Sequence, residues 1–447
     1  MFARAVSTPV AFTLLALSTP VWGQEAHTEI TKWQDGKAAC ISLTYDDATI
    51  NQFRIDIPLL NERHIPGTFF VITGDIQGSK YQPAFVGRPV MDIIRESATV
   101  PTTKENILER SSMLNYLATV QMAPELKGFS AQRVGGQMRR DPSAATATVD
   151  AALAKLRESG ASYTVGRRKS PVGDSRWPVT WDDLRRYAAQ GHEIANHSVT
   201  HPFMPALNEA NIEYEIEEAN QEILEQMGPK HTFSIEAPYG IDDPRVKPVV
   251  ASRFALTRNW VTDDFMEGFL RDDRRDPTTS TREYVQWQRG PLSRTSPELM
   301  KSWVDTSIAH GIWLVLVFHG VEGIGYEPLS TDAHRAYYDY VADHQSHLWI
   351  ATFQDGGKYA RERVNSKVTA SRSGDVITVT VTHSLDPKVY DLPLTARTQV
   401  PAEWTLVRFR QGDDVRWVPI TRDGGNSWVI YRIMPNGKAA TLEKAAN

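Results

Sequence analysis

The chain has 447 residues, 41% of them hydrophobic and 23% charged, with 28 glycines and 26 prolines. That composition excludes a disordered chain, a collagen-like repeat and a coiled coil; at ~150 residues per domain, the length allows two or three domains or one barrel with an appendage. The net charge of −5, from 49 Lys and Arg against 54 Asp and Glu, argues against a nucleic-acid binder and for a neutral or cationic ligand, weakly held.

Residues 1–23 read as a secretory signal: Arg4 is the one charge, Val10 to Leu17 is apolar, and Val21-Trp22-Gly23 presents small residues for cleavage. This run is too short to span a bilayer, and no other segment approaches the ~20 apolar residues of a membrane helix. The expectation is an exported protein, periplasmic or secreted, with no membrane insertion. Cys40 is the single cysteine, so an internal disulfide is excluded. It lies in Ala38 to Leu43, a buried-strand pattern in which a thiol acts as a small hydrophobe.

Residues 38–44 predict a first strand, ending in Thr44-Tyr45-Asp46-Asp47, and a helix follows through Ile57, Leu59 and Leu60. Residues 67–74, bounded by glycines, predict a second strand, which makes a βαβ unit and implies a parallel sheet. From about 75 to 177 the alternation stops, and the patterns Ile107 to Leu117 and Ala144 to Leu156 predict a largely helical insertion in a βα loop. It resumes with a helix capped by Thr180, with Asp183 three residues on. Strands are predicted at 192–196, 232–236, 253–257, 284–288, 312–318 and 348–353, with helices at 208–227, 296–310 and 332–345. Eight strands mostly alternating with helices predict a (β/α) barrel over 24–365. Beyond 365 the period changes to two, in Val376 to Thr382, Thr405 to Phe409, Val415 to Ile420 and Trp428 to Ile433. Residues 366–447 therefore predict a small all-β, sandwich-like appendage.

Three polar clusters follow predicted strands, at the strand ends where such barrels carry chemistry. They are Asp46-Asp47, His197-Ser198-Val199-Thr200-His201, and His319 after the apolar strand 312–317. Adjacent carboxylates repel unless one binds a metal while the other stays free as a base. Histidines four apart share a face over a helical turn, although Pro202 biases His201 out of a helix. Two histidines and a carboxylate around an open position form a hydrolytic zinc arrangement, in which a further carboxylate deprotonates water and a further histidine protonates the leaving group. Each cluster alone has a plainer reading: with 12 histidines a spacing of four is unremarkable, an Asp pair caps helices, and a lone histidine serves the core. Together they are specific.

These residues resemble the polysaccharide deacetylase family, the NodB-homology carbohydrate esterases. Thr44-Tyr45-Asp46-Asp47 is similar to its opening segment, and Gly67 to Val71 to the strand after it. His197 to His201 is similar to its His-Ser/Thr-x-x-His motif, Pro238-Tyr239-Gly240 to its third motif, and His319 to its last histidine. The likeness covers about residues 35–360, apart from the insertion. It implies a distorted (β/α) barrel of the NodB-homology type and hydrolytic removal of acetyl groups from sugars. By resemblance Asp46 is the general base and His319 the general acid. Asp47, His197 and His201 hold one divalent metal ion, usually zinc, and the Tyr239 backbone N–H helps hold the oxyanion.

Family members often carry an arginine two residues before that proline, to orient the base; here the position is Glu236. Arg258, after the strand 253–257, is the first candidate to replace it and Arg289 the second, with surface ion pairs as the other reading of both. Tyr45, Pro238, Trp260, Glu322 and Tyr326 are candidate substrate contacts, while His192 and Glu193 read as structural. The expected partner is an acetylated oligo- or polysaccharide, and the expected activity is N-deacetylation. An O-acetyl esterase or small-amide hydrolase on the same site, and a non-catalytic glycan-binding protein, are the alternatives.

Overall fold

A computed structural model describes residues 24–164, 179–240, 243–258, 278 and 283–445. The expected signal segment 1–23 and Trp260 lie outside these residues. The chain divides into two compact units: one holds residues 31–366 and 383–395, the other the N-terminal residues up to 30, 367–382 and 396 onward.

The larger unit is built on eight parallel strands: β1 (Ala39–Tyr45), β2 (Gly67–Val71), β3 (Glu193–Asn196), β4 (Ser234–Ile235), β5 (Leu256–Thr257), β6 (Gln286–Arg289), β7 (Trp313–Phe318) and β8 (Leu348–Ile350). They pair in the order β5-β4-β3-β2-β1-β7-β6, and β8 pairs with the start of β1, Leu348 opposite Ala39. Every residue of β1 and β2 is buried, which is why both are mostly apolar, with Ser42, Thr44 and Thr68 as the polar exceptions: parallel strands are covered on both faces. Ile41, Leu43, Phe69, Ile194, Leu314 and Leu316 form the core, and Tyr45 stacks between Phe69 and Phe318 at ring distances of 4.7 and 5.1 Å.

All eight predicted strands are present. Among the described residues no backbone ladder joins β5 to β6, so the barrel is open there. The Gln288 side chain on β6 donates instead to the carbonyl of Arg258, just past β5. The sheet is thus a distorted, incompletely closed (β/α) barrel. Among the described residues no helix is long and apolar enough to cross a membrane.

The insertion is helical, with helices at Val90–Glu96, Ile107–Thr119, Ala131–Arg140 and Pro142–Ser159 around a core of its own that includes Ile93, Met113, Leu117, Val149 and Leu153. The longest starts as a helix should: the Asp141 side chain accepts the Ala144 N–H, and Pro142 occupies the first turn, where a missing N–H does no harm. Gly135, on the helix 131–140, lies against the Phe203 ring, leaving no room for a side chain. The insertion therefore packs against the chain segment just after His201.

Glu193 ties three segments together at the barrel centre. It accepts from the Thr68 hydroxyl at 2.8 Å, the Gln354 N–H at 2.9 Å and the Ser234 hydroxyl. Burial pushes its carboxyl up from 4.5 to about 7 despite these donors. Unfolding releases that proton between the two values, so this carboxyl weakens the fold progressively as pH rises from 4.5 to 7. Gln at this position mimics the protonated acid. Glu193→Gln is expected to gain on the parent protein by on the order of 2–3 kcal/mol between pH 5 and pH 8, read by chemical denaturation at both. A pH-independent difference would show that the carboxyl does not hold its proton in the fold.

The smaller unit is antiparallel in every ladder described. Its strands are Gln24–Glu25, Thr28–Ile30, Lys367–Ser373, Val376–Thr382, Leu394–Val400, Leu406–Gln411, Asp414–Asp423, Asn426–Ile433 and Ala440–Lys444. Strand 414–423 is long enough to serve two partners in turn, Leu406–Gln411 with its first half and Asn426–Val429 with its second. Ile377, Val379 and Val381 point inward between outward threonines, the two-residue period that marks a half-buried strand. The boundary near 366 needs two corrections. Residues 24–30, expected in the barrel, pair with 371–372 and 396–398, and residues 383–395, expected in the appendage, cluster with the barrel unit.

Candidate active site

The carboxyl ends of β1, β3, β4, β5 and β7 bring Asp46, Asp47, His197, Glu236, Arg258 and His319 together. Asp46 leaves β1 with its N–H on the Phe318 carbonyl at 3.0 Å, so the first and seventh strands are still in register at the site. Its carboxylate is buried and gripped by both ends of the Arg258 guanidinium, Nη1 to Oδ1 at 2.7 Å and Nη2 to Oδ2 at 2.6 Å. Arg258 also donates to Thr44 Oγ1 at 2.8 Å, pairs through Nε with Glu236 at 3.1 Å and lies over the Phe70 ring at 5.0 Å. Burial works against both charges. The guanidinium, with His319 and His197, nevertheless holds the Asp46 carboxyl below its usual value, and Asp46 and Glu236 keep Arg258 protonated. Two-point Arg–carboxylate pairing fixes orientation as well as charge. Arg258 thus supplies the cation that Glu236 cannot, and Glu236 is its second counter-ion. Arg289 lies instead over Trp287, at 4.5 Å.

Beside this pair, Asp47, His197 and His201 offer ligand atoms that all lie within 4.8 Å of one another. His201 Nε2 is 3.3 Å and His197 Nε2 is 3.7 Å from Asp47 Oδ1. The His197 Nδ1 faces the Glu236 carbonyl at 2.7 Å, which can only accept, so the proton belongs on Nδ1 and Nε2 is left as a lone-pair donor. Burial opposes ionisation, but His197 and His201 hold the Asp47 carboxyl well below the carboxylate range. Burial likewise disfavours the His197 cation, and the Asp47 and Asp46 charges outweigh it. Two imidazoles and a carboxylate converging on one point fit a divalent cation of the zinc type.

The histidine pair is not on a helix. Residues 197–203 form a loop in which Ser198 (φ 68°) and His201 (φ 59°) take left-handed backbone, as does Asp47 (φ 72°). Pro202 had pointed this way, and such conformations in non-glycine residues persist only where the surroundings enforce them. Buried Glu215 does this by accepting from the N–H groups of Val199 (3.0 Å) and Thr200 (2.7 Å) and from the Thr200 hydroxyl (2.5 Å). The His201 N–H in turn donates to Ser198 Oγ at 2.9 Å.

His319 Nε2 lies 3.4 Å from Asp46 Oδ2, and the exposed ring of Tyr326 stands edge-on to it at 5.4 Å. Tyr239, half-exposed and also left-handed (φ 65°), lies 4.8 Å from the His201 ring and 5.7 Å from Phe203. Three expected substrate contacts need correction. Tyr45 is wholly buried in the core, its hydroxyl on Tyr338 at 2.7 Å. Pro238 is buried and shapes the turn rather than facing a ligand. Glu322 accepts the Thr331 N–H (2.6 Å) and hydroxyl (2.7 Å), so it serves the start of the helix 331–343. His192 is structural as expected, with Nδ1 accepting the Gly67 N–H at 3.0 Å. Sequence reasoning missed Thr44, Gln52 and Glu215 as supports, because their roles depend on partners distant in the chain.

Residues 140–253 match the family model described as polysaccharide deacetylase. That segment contains His197, His201, Glu236 and Tyr239. Among curated proteins, the chain is similar to a gellan lyase of Bacillus sp. at 21% identity over 289 residues, 60% of this chain and 11% of that protein. It is similar to a chitooligosaccharide deacetylase of Sinorhizobium fredii at 36% identity over 80 residues, 18% of this chain and 37% of that protein. The matched regions thus span well under half the length of these relatives. Among solved structures, a family 4 carbohydrate esterase from Streptomyces lividans in complex with acetate is similar at 13% identity and a TM-score of 0.32, over 70% of this chain and 91% of that one. The family match is thus confined to about a quarter of the chain, the segment that holds both histidines of the Asp47, His197 and His201 cluster.

Proposed function

We propose that the protein is an exported, metal-dependent hydrolase that removes acetyl groups from an N-acetylated glycan. One observation carries the reading. Asp46 stands outside the ligand cluster, held by Arg258, and its Oδ2 lies 3.4 Å from His319 Nε2. A candidate base and a candidate acid thus stand side by side next to three candidate metal ligands. A divalent ion, zinc in our reading, would be held by Asp47, His197 and His201 and would supply positive charge to polarise the acyl group.

The remaining chemistry belongs to the chain. Asp46 takes a proton from water as its oxygen bonds to the acetyl carbon, and the Tyr239 N–H donates to the developing oxyanion. His319 gives a proton to the nitrogen as the carbon–nitrogen bond breaks; acetic acid and the amine leave, and the proton held by Asp46 passes to His319, which restores both groups. Tyr326 and Tyr239, exposed on either side, offer faces on which a sugar ring can stack. Export rests on the signal-like segment 1–23.

Purified protein is expected to release acetate from N-acetylglucosamine oligomers or peptidoglycan fragments, to lose this with chelator and to regain it with zinc. Release from acetylated xylan alone would move the activity to ester hydrolysis. No release from any of these, with zinc bound stoichiometrically, would overturn the deacetylase reading.

A further inference from the structure

Asp46 and His319 end two neighbouring strands, and beyond those ends the chain leaves the ladder. One side chain joins the two segments there. The Gln52 amide Nε2 donates to the Asp46 carbonyl at 2.5 Å and to the His319 carbonyl at 2.7 Å. Both amide hydrogens are used on the backbone of the two residues assigned to proton transfer. Gln52 is fully buried, and its Oε1 has no hydrogen-bond partner. A buried acceptor left unpaired is unfavourable, so the amide is oriented by the two carbonyls and not by its own full satisfaction.

The turn that carries Gln52 is held in place independently. Gln52 opens a π-helical turn, Gln52–Asp56, a form that recurs at functional sites. At its far end Asp56 pairs with His334 Nδ1, which lies 2.9 Å from the Tyr338 hydroxyl, itself 2.7 Å from the Tyr45 hydroxyl. All four of these residues are fully buried. On the other side Asn51 Nδ2 donates to the Val321 carbonyl at 3.0 Å, so adjacent side chains hold both His319 and the residue two places after it.

We propose that Gln52 is a positioning residue that sets the geometry between Asp46 and His319, an inference that rests on the deacetylase reading for the roles of those two. It acts through their backbone and does not itself touch the reacting atoms.

Gln52→Met keeps the side-chain length and removes the donor. It is expected to lower kcat about 100-fold while KM stays within about threefold, because proton-transfer groups are displaced and substrate contacts are not. Phe53→Leu is the control: on the same turn, Phe53 stacks in the core on Phe69 and Tyr187 at 5.5 and 5.3 Å. It is expected to lower the thermal midpoint and leave kcat within about twofold. Crystal structures of the parent and of Gln52→Met are expected to show a longer Asp46 Oδ2 to His319 Nε2 separation in the variant. The proposal is overturned if Gln52→Met keeps kcat near that of the parent, or if Phe53→Leu loses kcat equally. Should the parent release no acetyl group, the deacetylase reading fails, and the crystal structures alone decide the role of Gln52: an unchanged 3.4 Å separation would reject it.

Discussion

Asp46→Asn is expected to lower kcat for acetate release by about 10³-fold or more while bound zinc stays at the parent level, the size of effect that loss of a general base produces. The separation of the two readouts follows from the geometry. The candidate ligand atoms are those of Asp47, His197 and His201, and Asp46 is not among them. Asn fills the same volume and still accepts a hydrogen bond from Arg258, whose charge retains Glu236 at 3.1 Å. The buried guanidinium therefore keeps a counter-ion, and the fold is expected to lose only on the order of 1–3 kcal/mol. Asp47→Ala should behave in the opposite way, losing the metal first and activity as a consequence. Activity of Asp46→Asn within tenfold of the parent would remove Asp46 as the base. Loss of zinc from that variant would show that Asp46 belongs to the ligand set.

Much of this architecture could be read from one sequence because its signals are local. Buried parallel strands such as 39–45 and 313–318 are largely apolar, and the clusters that follow them stand where a barrel puts chemistry. The cap on the helix 181–189 follows from Thr180 and Asp183 alone, and the structure shows both halves of that capping box. What stayed hidden depends on distant partners. Residues 24–30 carry no strong pattern, and their pairing partners lie more than 340 positions away in the chain, at 371–372 and 396–398. Tyr45 reads as a site residue because it adjoins Asp46. A strand alternates its faces, however, so the side chain next to Asp46 takes the opposite face, and Tyr45 packs in the core. Glu322 follows His319 closely in sequence but is captured by the helix that starts at Thr331. Arg258 was legible only in part: its place after a strand suggested a site residue, whereas its second bond, to Glu236, requires two strand ends to meet.

That second bond gives the buried Arg258 two carboxylate counter-ions. Arg258→Met leaves two buried carboxylates, Asp46 and Glu236, without their shared cation. It is expected to destabilise the fold by about 3–5 kcal/mol, as removal of one partner from a buried ion pair does. It should also lower kcat/KM by at least about 100-fold, since the base loses the group that orients it. Glu236→Arg alone places two guanidinium groups against one carboxylate and is expected to be nearly as damaging. The double exchange Glu236→Arg with Arg258→Glu exchanges the two charges between the strand ends and restores the charge balance. It is expected to recover about tenfold or more in kcat/KM over either single variant, with a coupling energy above about 1 kcal/mol in the stability cycle. Strict additivity of the two substitutions, in both activity and stability, would mean that Glu236 and Arg258 do not act as one unit. Glu236 would then serve the site independently of the Arg258 guanidinium.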